Sequence, residues 1–375
     1  MHLKQIDLYQ LQIPLCMPIK HSLANHTFSE NLVVKVTTDA GVEGFGEGIA
    51  RQYVTGETMQ ASLSYLLCYL IPRLKTLRVA TVDDLLGALP RLPAAGGLAR
   101  APAAFCALEL AILDAAGKTW QQSVADLLGG GDQPLVYSAV VTMMRRPRLE
   151  WLLHLVRDLR MAFVKIKVGG DQDLKLLSLA REILGDKVEL RVDANGAWTA
   201  EEAVKRIAAM AAYGVSAVEQ PVAKHDLQGL KQVAQRVPIP VIADESLCTE
   251  QDAGQLASLR ACHVFNVRVS KCGGILAAAR VQEIGSKQGI AAQLGCQVGE
   301  TGILAAAGRQ LAASREMLYL EGSYSNYVLR EDIVNERVEF GPGGVAQALR
   351  GYGLGVSVKE EVVKRLAVMH RVIRL

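Results

Sequence analysis

The run Phe163-Val164-Lys165-Ile166-Lys167-Val168 frames the whole chain. Its β-branched and aromatic content reads as a strand, and alternation puts Lys165 and Lys167 on one face and Val164, Ile166 and Val168 on the other. Similar short runs recur on both sides, at 137–143, 188–192, 217–219, 240–243, 264–269, 290–294 and 317–320, with helical segments between them. Thr199 with Glu202 three positions on is a capping box ahead of a helix over 203–213, and Thr249 with Asp252 is a weaker version. Eight strands alternating with helices fit a parallel (β/α) barrel better than a doubly wound sheet. In a barrel the apolar face meets the helices, so the two lysines point inward. Burying them unpaired is costly, and an anionic or metal-bound partner is expected; the plainer alternative is an edge strand with solvated lysines.

The segment before this alternation is organised differently. Residues 4–13 and 32–38 read as strands, and Asp39-Ala40-Gly41 as the turn of a hairpin. Between the two strands, 18–30 is polar and irregular, the length of a lid or binding loop. Helical patterns follow at 58–70 and 101–113, so the segment is a small α+β unit. The tail is Gly-rich from 340 and then helical over 359–368, and is expected to return to the first unit. The expected divisions are 1–130, a capping unit carrying specificity loops; 131–340, the barrel; and 341–375, the returning segment.

Composition narrows the function classes. A formal charge of +3 over 375 residues gives no reason to expect nucleic-acid binding. The tight basic group Arg145-Arg146 with Arg148 is explained by a solvated loop. The N-terminus lacks the long apolar run of a signal peptide, and the most apolar stretch, 101–116, is interrupted by Glu109 and Asp114. Seven cysteines without paired metal-type spacing suit a reduced, cytoplasmic setting.

Three acids close successive strands: Asp193 after Leu190-Arg191-Val192, Glu219 after Ala217-Val218, and Asp244 after Val241-Ile242-Ala243. Each lies about one βα unit from the next, and consecutive strand ends of a barrel are neighbours in space. Any one of them is explained as a helix N-cap or loop residue. Three together repel unless a cation sits among them, and all-oxygen ligation favours Mg²⁺, with Mn²⁺ as the alternative. Lys271 follows the sixth strand in Val269-Ser270-Lys271-Cys272-Gly273-Gly274, where alternation does not fix its direction. A lysine facing the mouth there would give the site one lysine on either side.

These pieces in order, Lys165-Ile-Lys167, Asp193-Ala-Asn195, Glu219-Gln-Pro221, Asp244-Glu245-Ser246 and Lys271-Cys-Gly-Gly274, resemble the enolase superfamily, and within it the muconate-lactonizing-enzyme (muconate cycloisomerase) subgroup of the mandelate racemase/muconate lactonizing enzyme family. The segment from Val36 to Glu47 resembles that family's N-terminal capping domain. The resemblance implies a modified (β/α)₇β barrel under an α+β cap, and Mg²⁺ held by Asp193, Glu219 and Asp244. It implies Lys167 and Lys271 as the acid/base pair, with Lys165 beside the substrate carboxylate. The mandelate-racemase subgroup uses a His after strand seven, and Ala291-Ala292-Gln293-Leu294-Gly295 has none.

The implied reaction removes the proton alpha to a carboxylate to give a metal-stabilised enediolate. Racemisation or epimerisation, or cycloisomerisation, of a small carboxylate (an N-acylamino acid, a dipeptide or a muconate) leads the expectations. β-Elimination of the o-succinylbenzoate synthase or acid-sugar dehydratase kind is the alternative, and a non-catalytic binding protein the remote one. Specificity is expected from 18–30, from 49–57 with Arg51 and Tyr53, from Glu300, and from Glu321; Asn195 and Glu245 are expected beside the site. Leu320-Glu321-Gly322-Ser323 replaces the Asp-x-Asp of resembling dipeptide epimerases, which argues against a standard dipeptide. The resemblance also implies a homo-oligomer.

Overall fold

A computed structural model describes residues 1–21, 24–93, 100–131, 134–142 and 144–375, with side chains at 19–26 left out of account. The N-terminal sheet begins with β1 (Leu3–His21) and β2 (Ala24–Thr38), an antiparallel hairpin, and continues through a turn at Gly41 to β3 (Glu43–Gly48). The expected irregular stretch at 18–30 is therefore largely strand: the hairpin runs on to its tip, and of that stretch 22–23 lie outside the described residues.

Helix Pro102–Trp120 lies flush on this sheet because every second residue of β3 is glycine. A Cβ at Gly44, Gly46 or Gly48 would come within 2.2, 2.1 or 2.0 Å of the backbone oxygens of Ala111, Ala107 and Ala103. The helix is buried over all but its last turn, and its first N–H groups are capped from a distance: Ala103 N and Ala104 N donate to the Glu57 carboxylate at 2.8 and 3.1 Å.

The barrel follows. After the two-residue β4 (Leu135–Val136), eight parallel strands run β5 (Ala139–Val141), β6 (Phe163–Lys167), β7 (Glu189–Asp193), β8 (Val215–Glu219), β9 (Val241–Ala243), β10 (Val264–Val267), β11 (Ala291–Leu294) and β12 (Tyr319–Leu320), each paired with the next. A bridge between Tyr137 and Leu320 joins the two ends of the row. Met143, expected at the end of the first of these strands, lies outside the described residues. The two helix-start expectations exchange strength. Thr249 and Asp252 form the full reciprocal capping box, whereas Thr199 accepts from Glu202 N while the Glu202 side chain turns to Arg206 at 2.8 Å.

The expected helix at 359–368 is shorter, Glu360–Leu366, because the chain then extends into β14 (Ala367–Arg374). β14 pairs antiparallel with β1 as the outer strand of the N-terminal sheet, in the order β14-β1-β2-β3. Before it, β13 (Val345–Ala346) pairs with β4.

Candidate active site at the strand ends

Register fixes the site in layers, since paired residues of parallel strands point to the same side. Lys167 is opposite Asp193, and Asp193 opposite Glu219, giving one inward layer at the strand ends. One step deeper, Lys165 is opposite Arg191. Val164, Ile166 and Val168 are buried on the other face, in the apolar core. Asp244 lies one residue beyond β9, and its N–H donates to Gln220 Oε1 at 3.0 Å. Gln220 also accepts from Ser246 N and donates to Ser246 Oγ, so the strand-eight end holds the strand-nine loop.

Asp193, Glu219 and Asp244 are fully buried. Each is drawn to a cation of the chain. Lys167 Nζ lies 2.5 Å from Asp193 Oδ2, Lys165 Nζ 3.0 Å from Glu219 Oε2 and 3.4 Å from Asp193 Oδ2, and Lys271 Nζ 2.8 Å from Asp244 Oδ1. Among the described residues, no group of three or more His, Cys, Asp or Glu is gathered closely enough to hold a metal ion. The donor chemistry nevertheless fits a hard divalent cation: three buried carboxylates at adjacent strand ends, all oxygen, with two further buried oxygens, Glu245 Oε2 beside Asp244 in the chain and Asn266 Oδ1 on a side chain that donates to Glu219, lacking a hydrogen-bond partner among the described residues.

The site depends on residues that the sequence did not single out. Asn266 Nδ2 and Gln293 Nε2, inward from β10 and β11, each donate to Glu219 at 2.8 Å and orient it. Arg268, just past β10, pairs with Asp244 beside Lys271. Arg191, fully buried, donates to Gln293 Oε1 and Ser138 Oγ at 2.7 Å, stacks over Tyr319 at 3.9 Å and faces Glu321 at 3.3 Å.

The two deepest lysines differ electrostatically. Burial pulls the Lys165 ammonium down, but Glu219, Glu321 and Asp193 outweigh it and hold its pKa well above the usual lysine range. Lys271 is fully buried on a helical turn, Val269–Cys272, and donates to the Asp244 and Asn266 carbonyls at 2.7 and 2.8 Å. Burial, reinforced by Arg268, holds its pKa below the ordinary value.

The remaining expected residues divide. Asn195, at φ 45°, accepts from Lys167 Nζ at 2.8 Å and donates to Glu245 Oε1 at 3.0 Å, tying both to the site. Burial, then Asp193, raises the pKa of Glu245. Glu321 is spoken for by Lys165 at 2.6 Å. Glu300 lines a cavity onto which Lys165 and Lys167 also open, and burial pushes its carboxyl up to about 8. Tyr53 lines the same cavity; Arg51, expected with it as a specificity residue, is buried and donates to Val298 O at 2.6 Å, holding cap to barrel.

Residues 5–129 match the family Mandelate racemase / muconate lactonizing enzyme, N-terminal domain, and residues 150–362 match Enolase C-terminal domain-like. The chain belongs to this family and is an isomerase of the enolase superfamily, built as a capped TIM-type barrel. It is 30% identical over 363 residues to the hydrophobic dipeptide epimerase of Enterococcus faecalis, covering 95% of this chain and 100% of that one. It is likewise 30% identical over 370 residues to an N-succinylamino acid racemase from an Amycolatopsis species, covering 97% of each. The solved structure of the Enterococcus faecalis dipeptide epimerase complexed with Mg and L-Leu-L-Tyr superposes with a TM-score of 0.84 at 29% identity, over 95% of this chain and all of that one.

Proposed function

We propose that the chain racemises or epimerises a small carboxylate by moving the proton on its α-carbon, with Mg²⁺ held by Asp193, Glu219 and Asp244. Cycloisomerisation would use the same first step. The observation that carries this reading is the pair of lysines at opposite ends of one row of carboxylates: Lys167 on Asp193, Lys271 on Asp244, and Glu219 on the strand between. Two bases on either side of one carbon are what inversion of configuration requires.

When bound, Mg²⁺ supplies a Lewis acid for the substrate carboxylate. Lys167 removes or returns the α-proton on one face and Lys271 on the other. A buried lysine with a depressed pKa, as at Lys271, is suited to the base role. Lys165 remains an ammonium and stabilises the negative charge that develops on the carboxylate oxygens. Asn195 holds Lys167, and Asn266 and Gln293 hold Glu219.

The reading is tested by α-proton exchange in D₂O, followed by NMR, with N-acylamino acids, dipeptides and muconate. Exchange that disappears with EDTA is the expected result. Exchange that persists at full rate in Lys167→Ala would overturn the acid/base assignment.

A further inference from the structure

The two inward lysines of β6 open onto a cavity of about 400 Å³. Most of its wall is apolar, from Trp151, Leu155 and Leu159 on and after helix Arg146–Asp158 to Tyr327 and Phe340. The wall also holds polar side chains, and one of these stands apart. Gln297, in the loop after β11, is 4% exposed, yet neither its Oε1 nor its Nε2 finds a partner among the described residues. Its backbone is held in place: Gln297 N donates to Glu300 Oε1 at 2.7 Å, and its carbonyl accepts from Glu300 N at 3.3 Å. A buried carboxamide with both halves unpaired is rare in native proteins, where such groups otherwise find partners.

We infer that Gln297 is a specificity residue that reads a secondary amide on the substrate. Its Nε2 donates to the amide carbonyl and its Oε1 accepts from the amide N–H, a match of one amide to another. The inference rests on the reaction proposed above and narrows its substrate to an α-carboxylate whose nitrogen is acylated, with the acyl tail along the apolar wall. A muconate, which has acceptors only, would leave Oε1 facing another acceptor. Glu321 is engaged by Lys165 and Arg191, which leaves the tail end without a free carboxylate from that strand for an ammonium group. A neutral acyl group suits this cavity better than a charged amine.

The test uses the full chain with Mg²⁺ and two matched probes: an N-hexanoylamino acid, and the O-hexanoyl 2-hydroxy acid in which oxygen replaces N–H. Both α-proton exchange and affinity by calorimetry are measured for the natural chain, Gln297→Leu and Gln297→Glu. The natural chain is expected to prefer the amide by about 10- to 100-fold, and the preference to fall towards one in Gln297→Leu but to persist in Gln297→Glu, which keeps the acceptor for the amide N–H. Gln297→Glu loses only the donor to the acyl carbonyl, which both probes carry, so it should weaken both probes together, a result that can be read if the leucine variant does not fold. An unchanged preference in Gln297→Leu, unchanged affinity for both probes in Gln297→Glu, or no preference in the natural chain overturns the inference. The two proposals fail separately: exchange without amide preference sinks the subsite alone, amide-selective binding without exchange sinks the reaction alone, and neither binding nor exchange sinks both.

Discussion

Glu47 of the N-terminal sheet and Thr301 of the barrel are joined twice: Thr301 Oγ1 donates to Glu47 Oε2 at 2.6 Å, and Thr301 N to Oε1 at 3.1 Å. Leu304 N adds a third bond at 3.0 Å, so a carboxylate from the cap closes the N-terminus of barrel helix Gly302–Ser314. Asn31, donating to Glu47 and to Gly299 O, extends the same clamp to the loop carrying Gln297 and Glu300. Glu47→Ala leaves these buried groups unpaired and is expected to cost roughly 2 kcal/mol or more, read from urea unfolding. A loss below half of that would mean that the cap and barrel are held elsewhere.

Glu109 does the same for helix Ile275–Ser286, accepting from Leu276 N at 3.4 Å, and burial pushes its carboxyl up to about 8. The folded state therefore keeps a proton that the unfolded chain releases near its ordinary value of 4.5. Stability from this group is greatest at low pH and falls as pH rises from about 4.5 to about 8. Glu109→Gln should flatten that slope and leave the protein more stable than its parent at pH 9. Thermal unfolding midpoints from pH 5 to 9 check it, and parallel curves for the two proteins would refute it.

Lys167→Ala and Lys271→Ala are each expected to lower racemisation by about 10²- to 10⁴-fold, the usual worth of a positioned proton-transfer group. Progress curves from each enantiomer, followed by polarimetry, make the comparison. If only one of the two substitutions matters, a single base serves both faces and the two-sided geometry is incidental.

Adding Mg²⁺ should raise the unfolding midpoint, and the rise should continue with the logarithm of Mg²⁺ concentration above its dissociation constant, because ligand that binds only the folded chain stabilises it. Asp244→Asn should weaken that response at least tenfold in Mg²⁺ concentration, with Ca²⁺ as the control for a site that discriminates by size. An identical response in the variant would remove Asp244 from the proposed ligands.

Much of this was legible in the linear sequence where the relevant periodicity is local. Lys165-Ile-Lys167 shows its inward face through alternation alone, and three acids at strand ends declare their convergence once the strands are ordered. Arg268 was not legible: it lies just beyond β10, where the pleat no longer dictates direction. The Lys165–Glu321 pair joins strands far apart in the chain, which no local pattern reveals. The stretch 18–30 reads as irregular because its residues are polar, yet cross-strand pairing makes 18–21 and 24–30 strand. β14 was hidden for the opposite reason, since its helix and strand run together without a breaking residue between them.

The place of β14 has a consequence for how the molecule comes apart. Asp7 and His370, 363 residues apart along the chain, meet at 2.9 Å across the β1–β14 ladder, so the barrel is an insertion between two strands of one sheet. One cut through the connection between helix Pro102–Trp120 and β4 would therefore free neither part. The fragments would remain clasped by that ladder, and after a second cut before β14 the cap would be held to the barrel by contacts such as Glu47 with Thr301 and no longer by the continuity of the sheet.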